Sequence, residues 1–347
     1  MNDAGATPDG NTMRAAVLHG PRDLRIEDVP RPAPGPGEVR VRVEAALTGG
    51  TCTKIWRRGY HATMGRPPLP FGHEGAGTID AVGAGVSRFQ VGDRVVPANS
   101  APCGACRMCA RGMTAQCEDM VWLTGFFAEQ LLVPARIVAQ NLHPVPPGLD
   151  LRTAALSETL ATVVKGSDRT PARRGEHAVV LGTGPLGLLW VRVLSASGVR
   201  VTAVGRRPER EATARALGAD TAVGVEDFDA DAAQADLVVE AAGTPEAWAM
   251  ALRSVAPGGR VNLFGGLRAD AAVALDPRRV HYEELLVTAS FHHTPFHFAD
   301  ALRLLGDGFV DAPLLLQEDV TLEDLPAFFE RAAAGGGPLK ATVRCGP

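Results

Sequence analysis

The chain is 347 residues long, 46% hydrophobic and 21% charged, with a formal net charge of −4. That size and apolar content support a soluble globular protein of two domains. Its 35 lysines and arginines are spread along the sequence, which argues against a nucleic-acid or membrane partner, and no apolar run reaches the about 18 residues needed to span a bilayer.

Residues 1–12, MNDAGATPDGNT, are small and polar and read as a disordered tail. No charged-then-apolar signal pattern is present, so the expected location is cytoplasmic. Next come "MRAAVLHG", "LRIEDVP", "EVRVRVEAALT" and "GAGTIDAVGAGV", short β-patterned runs separated by turns such as "RPAPGPG". They predict a compact β-rich domain over residues 13–155. From about Leu156 the text alternates: strand "HAVVLG", helix "PLGLLWVRVLSAS", strand "VRVTAVG", helical text from Pro208, then strands "DLVVEAAG" and "GRVNLFGG". This alternation predicts a parallel, doubly wound sheet over residues 156–290, making the fold class α/β. Beyond it, "HYEELLVTASFHHTPFHFADALRLL" gives one more strand and helix, and residues 291–347 close with a strand at "KATVRC".

Within "VVLGTGPLG", Gly182, Gly184 and Gly187 form a G-x-G-x-x-G frame between a strand and a helix, with Pro185 and Leu186 inside it. In that context the glycines serve a tight turn, approach of a pyrophosphate and close helix packing, so the segment predicts a dinucleotide site. The next strand ends at Gly205, where an acidic residue would bond the ribose hydroxyls of NAD, and Arg206 and Arg207 follow. Two guanidiniums without a carboxylate favour NADP(H) over NAD(H), the plainer alternative being two solvated loop arginines.

Four of the six cysteines, Cys103, Cys106, Cys109 and Cys117, fall within "CGACRMCARGMTAQC". The C-x2-C-x2-C-x7-C spacing suits one tetrahedral zinc with no open position, which is a structural site. His73 and Glu74 stand between glycines in "PFGHEGAGTI", and Glu158 lies just before the nucleotide-binding unit, where a cleft between domains is expected. Taken alone, a His-Glu pair is more often surface or satisfied core.

"GHEGAGTI", "VGDRV", the cysteine lobe, "GFFAEQLLVP", "GTGPLG", "APGGRV" and "ELLVTASFHHTP" occur in the order found in zinc-containing medium-chain dehydrogenases/reductases. Over nearly its whole length the chain resembles that family, and most of all its polyol, threonine and aminocyclitol branch. The resemblance implies a GroES-like catalytic domain built from both chain ends, with a Rossmann domain inserted between them. It also implies that His73 and Glu158 ligate a catalytic zinc, that Glu74 is a neighbouring or exchanging ligand, and that Thr51 relays a proton. A dimer or tetramer is the assembly it suggests.

One ligand of the family is missing. Where its C-G-[ST]-D stretch belongs, this chain reads "GGTC": Gly49 takes the place of the cysteine and Cys52 that of the aspartate. Other departures are Thr159 where proline is common and Lys165 where histidine is common. A helical turn from Gly49 onward would put Cys52 on the face that residue 49 shares, so Cys52 is expected to take over as the zinc thiolate. The alternative is a small buried hydrophobe.

The implied function is reversible oxidation of a secondary alcohol, of polyol, sugar or cyclitol type, to a ketone with a nicotinamide cofactor. A reductase of the same fold without catalytic zinc, or a nucleotide-binding protein without redox chemistry, are the competing readings. Trp56, Tyr60, Trp122 and Phe126 are either pocket walls or ordinary core.

Overall fold

The computed structural model describes residues 11–60 and 63–346. One unit runs to Glu158 and adds Leu302–Asp307 and the chain from Leu315, while the other comprises Thr159–Ala301 and Gly308–Leu314. Of the tail expected over residues 1–12, residues 1–10 lie outside the described residues. Its last two positions are held by backbone pairing: Asn11 accepts a hydrogen bond from the Arg31 amide at 2.9 Å, and Thr12 opens the strand Thr12–Gly20 opposite Pro30.

The first unit is built on a seven-stranded sheet. Its order is Leu142–Pro144, Arg94–Pro97, Gly75–Val82, Val39–Leu47, Lys340–Arg344 and Leu316–Thr321, with Gln130–Val133 also paired to Val39–Leu47. Alternation explains the central strand: Val39, Val41 and Val43 turn inward while Arg40, Arg42 and Glu44 turn out. Its far end matters for function, because Ala46 pairs with Gly75 on one side and Val343 pairs with Ala46 on the other. Strand ends at Leu47, Gly75 and Lys340, the last drawn from the far end of the chain, therefore meet at one level.

Beneath the sheet lies an aromatic core. Phe329, fully buried, packs edge-on against Phe71 at 5.4 Å and stacks on Trp56 at 6.2 Å. Trp56 and Phe126 thus belong to the core rather than to a pocket wall, since both are almost wholly inaccessible. Tyr60 is exposed, and Trp122 lies half-buried in the short strand Val121–Trp122.

The second unit is a six-stranded sheet in the order Thr221–Gly224, Arg200–Gly205, His177–Leu181, Ala235–Glu240, Val255–Leu263 and Leu286–Ala289, with every pair parallel. Ala178, Val179, Val180 and Leu181 are all buried, as a strand covered on both faces requires. Helix Pro185–Ala196 follows that strand directly. The helical text from Pro208 resolves into a 3₁₀ turn, Pro208–Arg210, and a helix, Glu211–Ala216, that ends before Gly218 at φ +106°. Among the described residues, no helix is long and apolar enough to cross a membrane.

Truncating the central aromatic tests this account of the core. Phe329→Ala should cost about 3–5 kcal/mol of stability, read from the denaturant midpoint, whereas a loss under about 1 kcal/mol would contradict it.

Candidate functional site

The strand Val39–Leu47 ends at Leu47, whose amide bonds the Glu74 carbonyl at 3.0 Å. Thr48 locks onto the last strand at Ala341: its amide donates to the Ala341 carbonyl at 3.0 Å, and its hydroxyl accepts from the Ala341 amide at 2.9 Å and donates to the Ala341 carbonyl at 3.4 Å. Gly49 then caps helix Gly50–Arg58, which carries Thr51 half-buried and Cys52 fully buried. In this way the sheet delivers His73, Glu74, Cys52 and Lys340 to one place.

His73 and Glu74 are both 4% exposed, and His73 Nε2 lies 3.6 Å from Glu74 Oε1. The second oxygen of Glu74 accepts from Lys340 Nζ at 2.6 Å, and the same ammonium reaches the Thr48 carbonyl at 3.1 Å. Glu158, in the first turn of helix Ser157–Arg169, accepts from Asn99 Nδ2 at 3.2 Å. Burial pushes its carboxyl up to about 8, the Glu74 charge adding to the rise and Lys340 opposing it. His73, Glu74 and Glu158 each offer a ligand atom within 4.8 Å of the others. One imidazole, one buried carboxylate and one half-buried carboxylate fit a divalent cation, which would also relieve the two acids of their mutual repulsion.

Cys52 does not join that group. Its sulfur lies 3.3 Å from His73 Nδ1, the ring nitrogen opposite the one facing Glu74. The sulfur expected as a thiolate ligand therefore lies in helix Gly50–Arg58 against the His73 ring, outside the three groups that gather within 4.8 Å of one another. Burial pushes its thiol up to about 12, with Glu74 adding to the effect, so it meets the ring as a neutral group.

In the cysteine lobe, the Cys103 and Cys109 sulfurs are 4.0 Å apart and those of Cys106 and Cys117 3.9 Å. Four thiolates about 2.3 Å from a tetrahedral zinc stand about 3.8 Å from one another, so this arrangement fits the ion. Backbone amides of Ala105 and Cys106 point at the Cys103 sulfur, while those of Glu118 and Cys109 pull Cys106 down to about 6. These amides favour the deprotonated state that a metal needs.

In the second unit, a Cβ on Gly187 would lie 1.8 Å from the Gly182 carbonyl oxygen, whereas one on Gly184 would meet nothing within 4 Å. Packing alone accounts for Gly187. The open space at Gly184, which caps helix Pro185–Ala196, is where backbone approach by a phosphate is expected. Gly205 also has a steric cause, since a Cβ there would sit 2.2 Å from the Thr183 hydroxyl oxygen. Arg206 is exposed and Arg207 half-buried. Arg210, absent from the sequence expectation, donates to the Thr183 carbonyl at 3.3 Å and so leans over the glycine turn. Lys340 was equally hidden from local reading: its only signal is that it is one of three lysines in an arginine-rich chain.

A parallel sheet with a glycine turn at a helix N-terminus, carried on one chain with a thiol lobe and a His/Glu/Glu cluster, defines a metal-binding nicotinamide dehydrogenase. Residues 35–147 match the alcohol dehydrogenase GroES-like domain and residues 185–307 the zinc-binding dehydrogenase domain. The chain belongs to the zinc-binding alcohol dehydrogenase family, polyol and threonine branch. It is 35% identical to D-altritol 5-dehydrogenase of Agrobacterium fabrum over 78% of this chain and 83% of that one. Sorbitol dehydrogenase of Bacillus subtilis is 28% identical over 92% and 93%. A zinc-binding dehydrogenase from Sinorhizobium meliloti 1021 bound to NADP superposes with a TM-score of 0.88 at 27% identity, covering 96% and 99%.

Two variants probe the geometry. Lys340→Met removes the ammonium partner of a buried carboxylate and should cost about 3–5 kcal/mol, while adding Glu74→Gln should recover most of that. Equal losses in the single and double variants would contradict the pairing. Cys106→Ser should cost one zinc per chain by metal analysis together with thermal stability, because binding energy at such a lobe is folding energy.

Proposed function

We propose that this dehydrogenase reversibly oxidises a secondary alcohol of polyol, sugar or cyclitol type to the ketone, with NADP(H) preferred over NAD(H). The observation that carries the reading is the convergence of His73, Glu74 and Glu158 in a chain whose relatives include dehydrogenases of altritol and sorbitol. A divalent metal, zinc by family, supplies Lewis acidity that lowers the pKa of an alcohol oxygen. The nicotinamide supplies the hydride acceptor.

The rest falls to the chain's own groups. His73, Glu74 and Glu158 hold the metal. Cys52 fixes the His73 ring from Nδ1, and Lys340 fixes the Glu74 carboxylate. Thr51, one residue before Cys52 in the first turn of its helix, offers a hydroxyl through which the alcohol proton leaves. Gly182, Gly184, Pro185, Leu186 and Gly187 receive the pyrophosphate at the helix N-terminus. Beyond Gly205, Arg206 and Arg207 meet the 2′-phosphate, and the exclusion of a side chain at position 205 by Thr183 supports this preference. The protein works in the cytoplasm as a homo-oligomer, a dimer or tetramer.

Purified protein should reduce NADP⁺ with a panel of polyols and carry two metals per chain. An active enzyme with a single metal would instead be a reductase without catalytic zinc. Replacing both Arg206 and Arg207 with alanine should weaken NADPH binding by about one to two decades in a fluorescence titration and leave NADH little changed. A uniform loss for both cofactors would refute the phosphate contact.

A further inference from the structure

In zinc sites built on a cysteine, the thiolate is the soft donor that favours zinc over harder ions. Residue 49 is where such a cysteine would stand. Here the position is glycine, and the space in front of it is taken: a Cβ on Gly49 would meet Glu74 Oε1 at 3.0 Å and Lys340 Nζ at 3.5 Å. The carboxylate borders the space that a side chain from residue 49 would enter and would have to give slightly to admit one. It is also fixed there, because Lys340 holds its other oxygen at 2.6 Å and is itself tied to the Thr48 carbonyl. At 1% exposure, that ammonium has little room to swing elsewhere.

No sulfur replaces the lost donor. The two nitrogens of an imidazole direct their lone pairs to opposite sides of the ring, so an atom against Nδ1 cannot coordinate an ion held by Nε2. Cys52 is against Nδ1. Cys345 is engaged with the Phe126 carbonyl at 3.5 Å, and the remaining four cysteines form their own lobe. Among the described residues, Glu74 and Glu158 are the carboxylates that bring a ligand atom within 4.8 Å of His73 and of each other.

We infer that His73, Glu74 and Glu158 form a thiolate-free site that binds a divalent cation through one imidazole and two carboxylates, accepting manganese, ferrous iron or cobalt as well as zinc. Oxygen donors discriminate among these ions far less than sulfur does, so metal identity at this site follows availability, while the four-thiolate lobe stays selective for zinc. The inference rests on the metal-dependent reading of the site given above and adds the chemical class of its donors.

Cobalt reports thiolate ligation directly, through a sulfur-to-metal charge-transfer absorption that oxygen and nitrogen donors lack. Full-length protein should be dialysed against a chelator until one zinc per chain remains in the lobe, then titrated separately with Co²⁺, Mn²⁺ and Zn²⁺. The expected result is one further cobalt per chain with visible ligand-field bands and no charge-transfer band. Manganese should reach the same stoichiometry and restore NADP⁺ reduction to within about tenfold of zinc. Gly49→Cys should gain the charge-transfer band and shift competition toward zinc by at least about tenfold. Should that variant not fold, the wild-type cobalt spectrum still decides. A wild-type charge-transfer band that disappears in Cys52→Ser would overturn the inference while leaving alcohol oxidation standing. So would binding of zinc with no detectable binding of manganese. Turnover with no second metal at all would overturn both the inference and the metal's part in the proposed reaction.

Discussion

The contact on which this catalytic unit turns is the buried ion pair between Lys340 and Glu74, two residues separated by 266 positions. An ammonium and a carboxylate removed from water are costly singly, so each needs the other in place before the surrounding sheet can close. Their separation in sequence makes the consequence topological. The last strand, Lys340–Arg344, must pair beside Val39–Leu47 for the ammonium to arrive, so the site exists only once both ends of the chain have come together. A backbone bond from the Thr48 amide to the Ala341 carbonyl, with the Ala341 amide donating to the Thr48 hydroxyl, sets the level of that meeting to within a single residue.

A one-residue slip in such a register would turn Lys340 to the other face of the sheet. The neighbouring core opposes a slip of this kind: Ala341 and Val343 are wholly buried, and Cys345, two residues further on, is nearly so. The charged pair and the apolar alternation thus specify the same register from different physics. Agreement of that sort is how a short terminal strand acquires a unique position.

Much of this architecture was legible in the sequence. Strand His177–Leu181, its glycine turn and helix Pro185–Ala196 follow directly from a hydrophobic run that ends in G-x-G-x-x-G, because the steric demand at Gly187 is local. The cysteine lobe was readable for the same reason: its four sulfurs converge over fifteen residues, and the turns that bring them together lie within the motif. What sequence could not supply were facts carried by distant partners. Nothing near Glu74 announces Lys340, and nothing near Gly205 shows that the Thr183 hydroxyl occupies the place of a side chain. Cys52 is the instructive case. Helical spacing placed it on the face of residue 49 and the resemblance expected it to share a metal with His73, but neither says which ring nitrogen its sulfur would meet, and it stands 3.3 Å from Nδ1.

Gly49 and Glu74 are best understood as one feature. A side chain at residue 49 would press on the Glu74 carboxylate where it stands, at 3.0 Å from Oε1, so the glycine leaves that carboxylate its observed position without crowding. Lys340 then has two effects of opposite sign. It neutralises one of the two carboxylates, which weakens the attraction for a cation, yet it pins that carboxylate in a single rotamer and so reduces the ordering required when an ion arrives. Glu158 has no such ammonium and instead accepts a bond from the neutral Asn99 amide. The two acids are consequently unequal, one hydrogen-bonded to a buried ammonium and the other raised by burial to about 8. In the metal site proposed above, Glu158 is thus the acid with the most to gain from a nearby cation, while Glu74 and His73 keep the positions that the sheet has already given them.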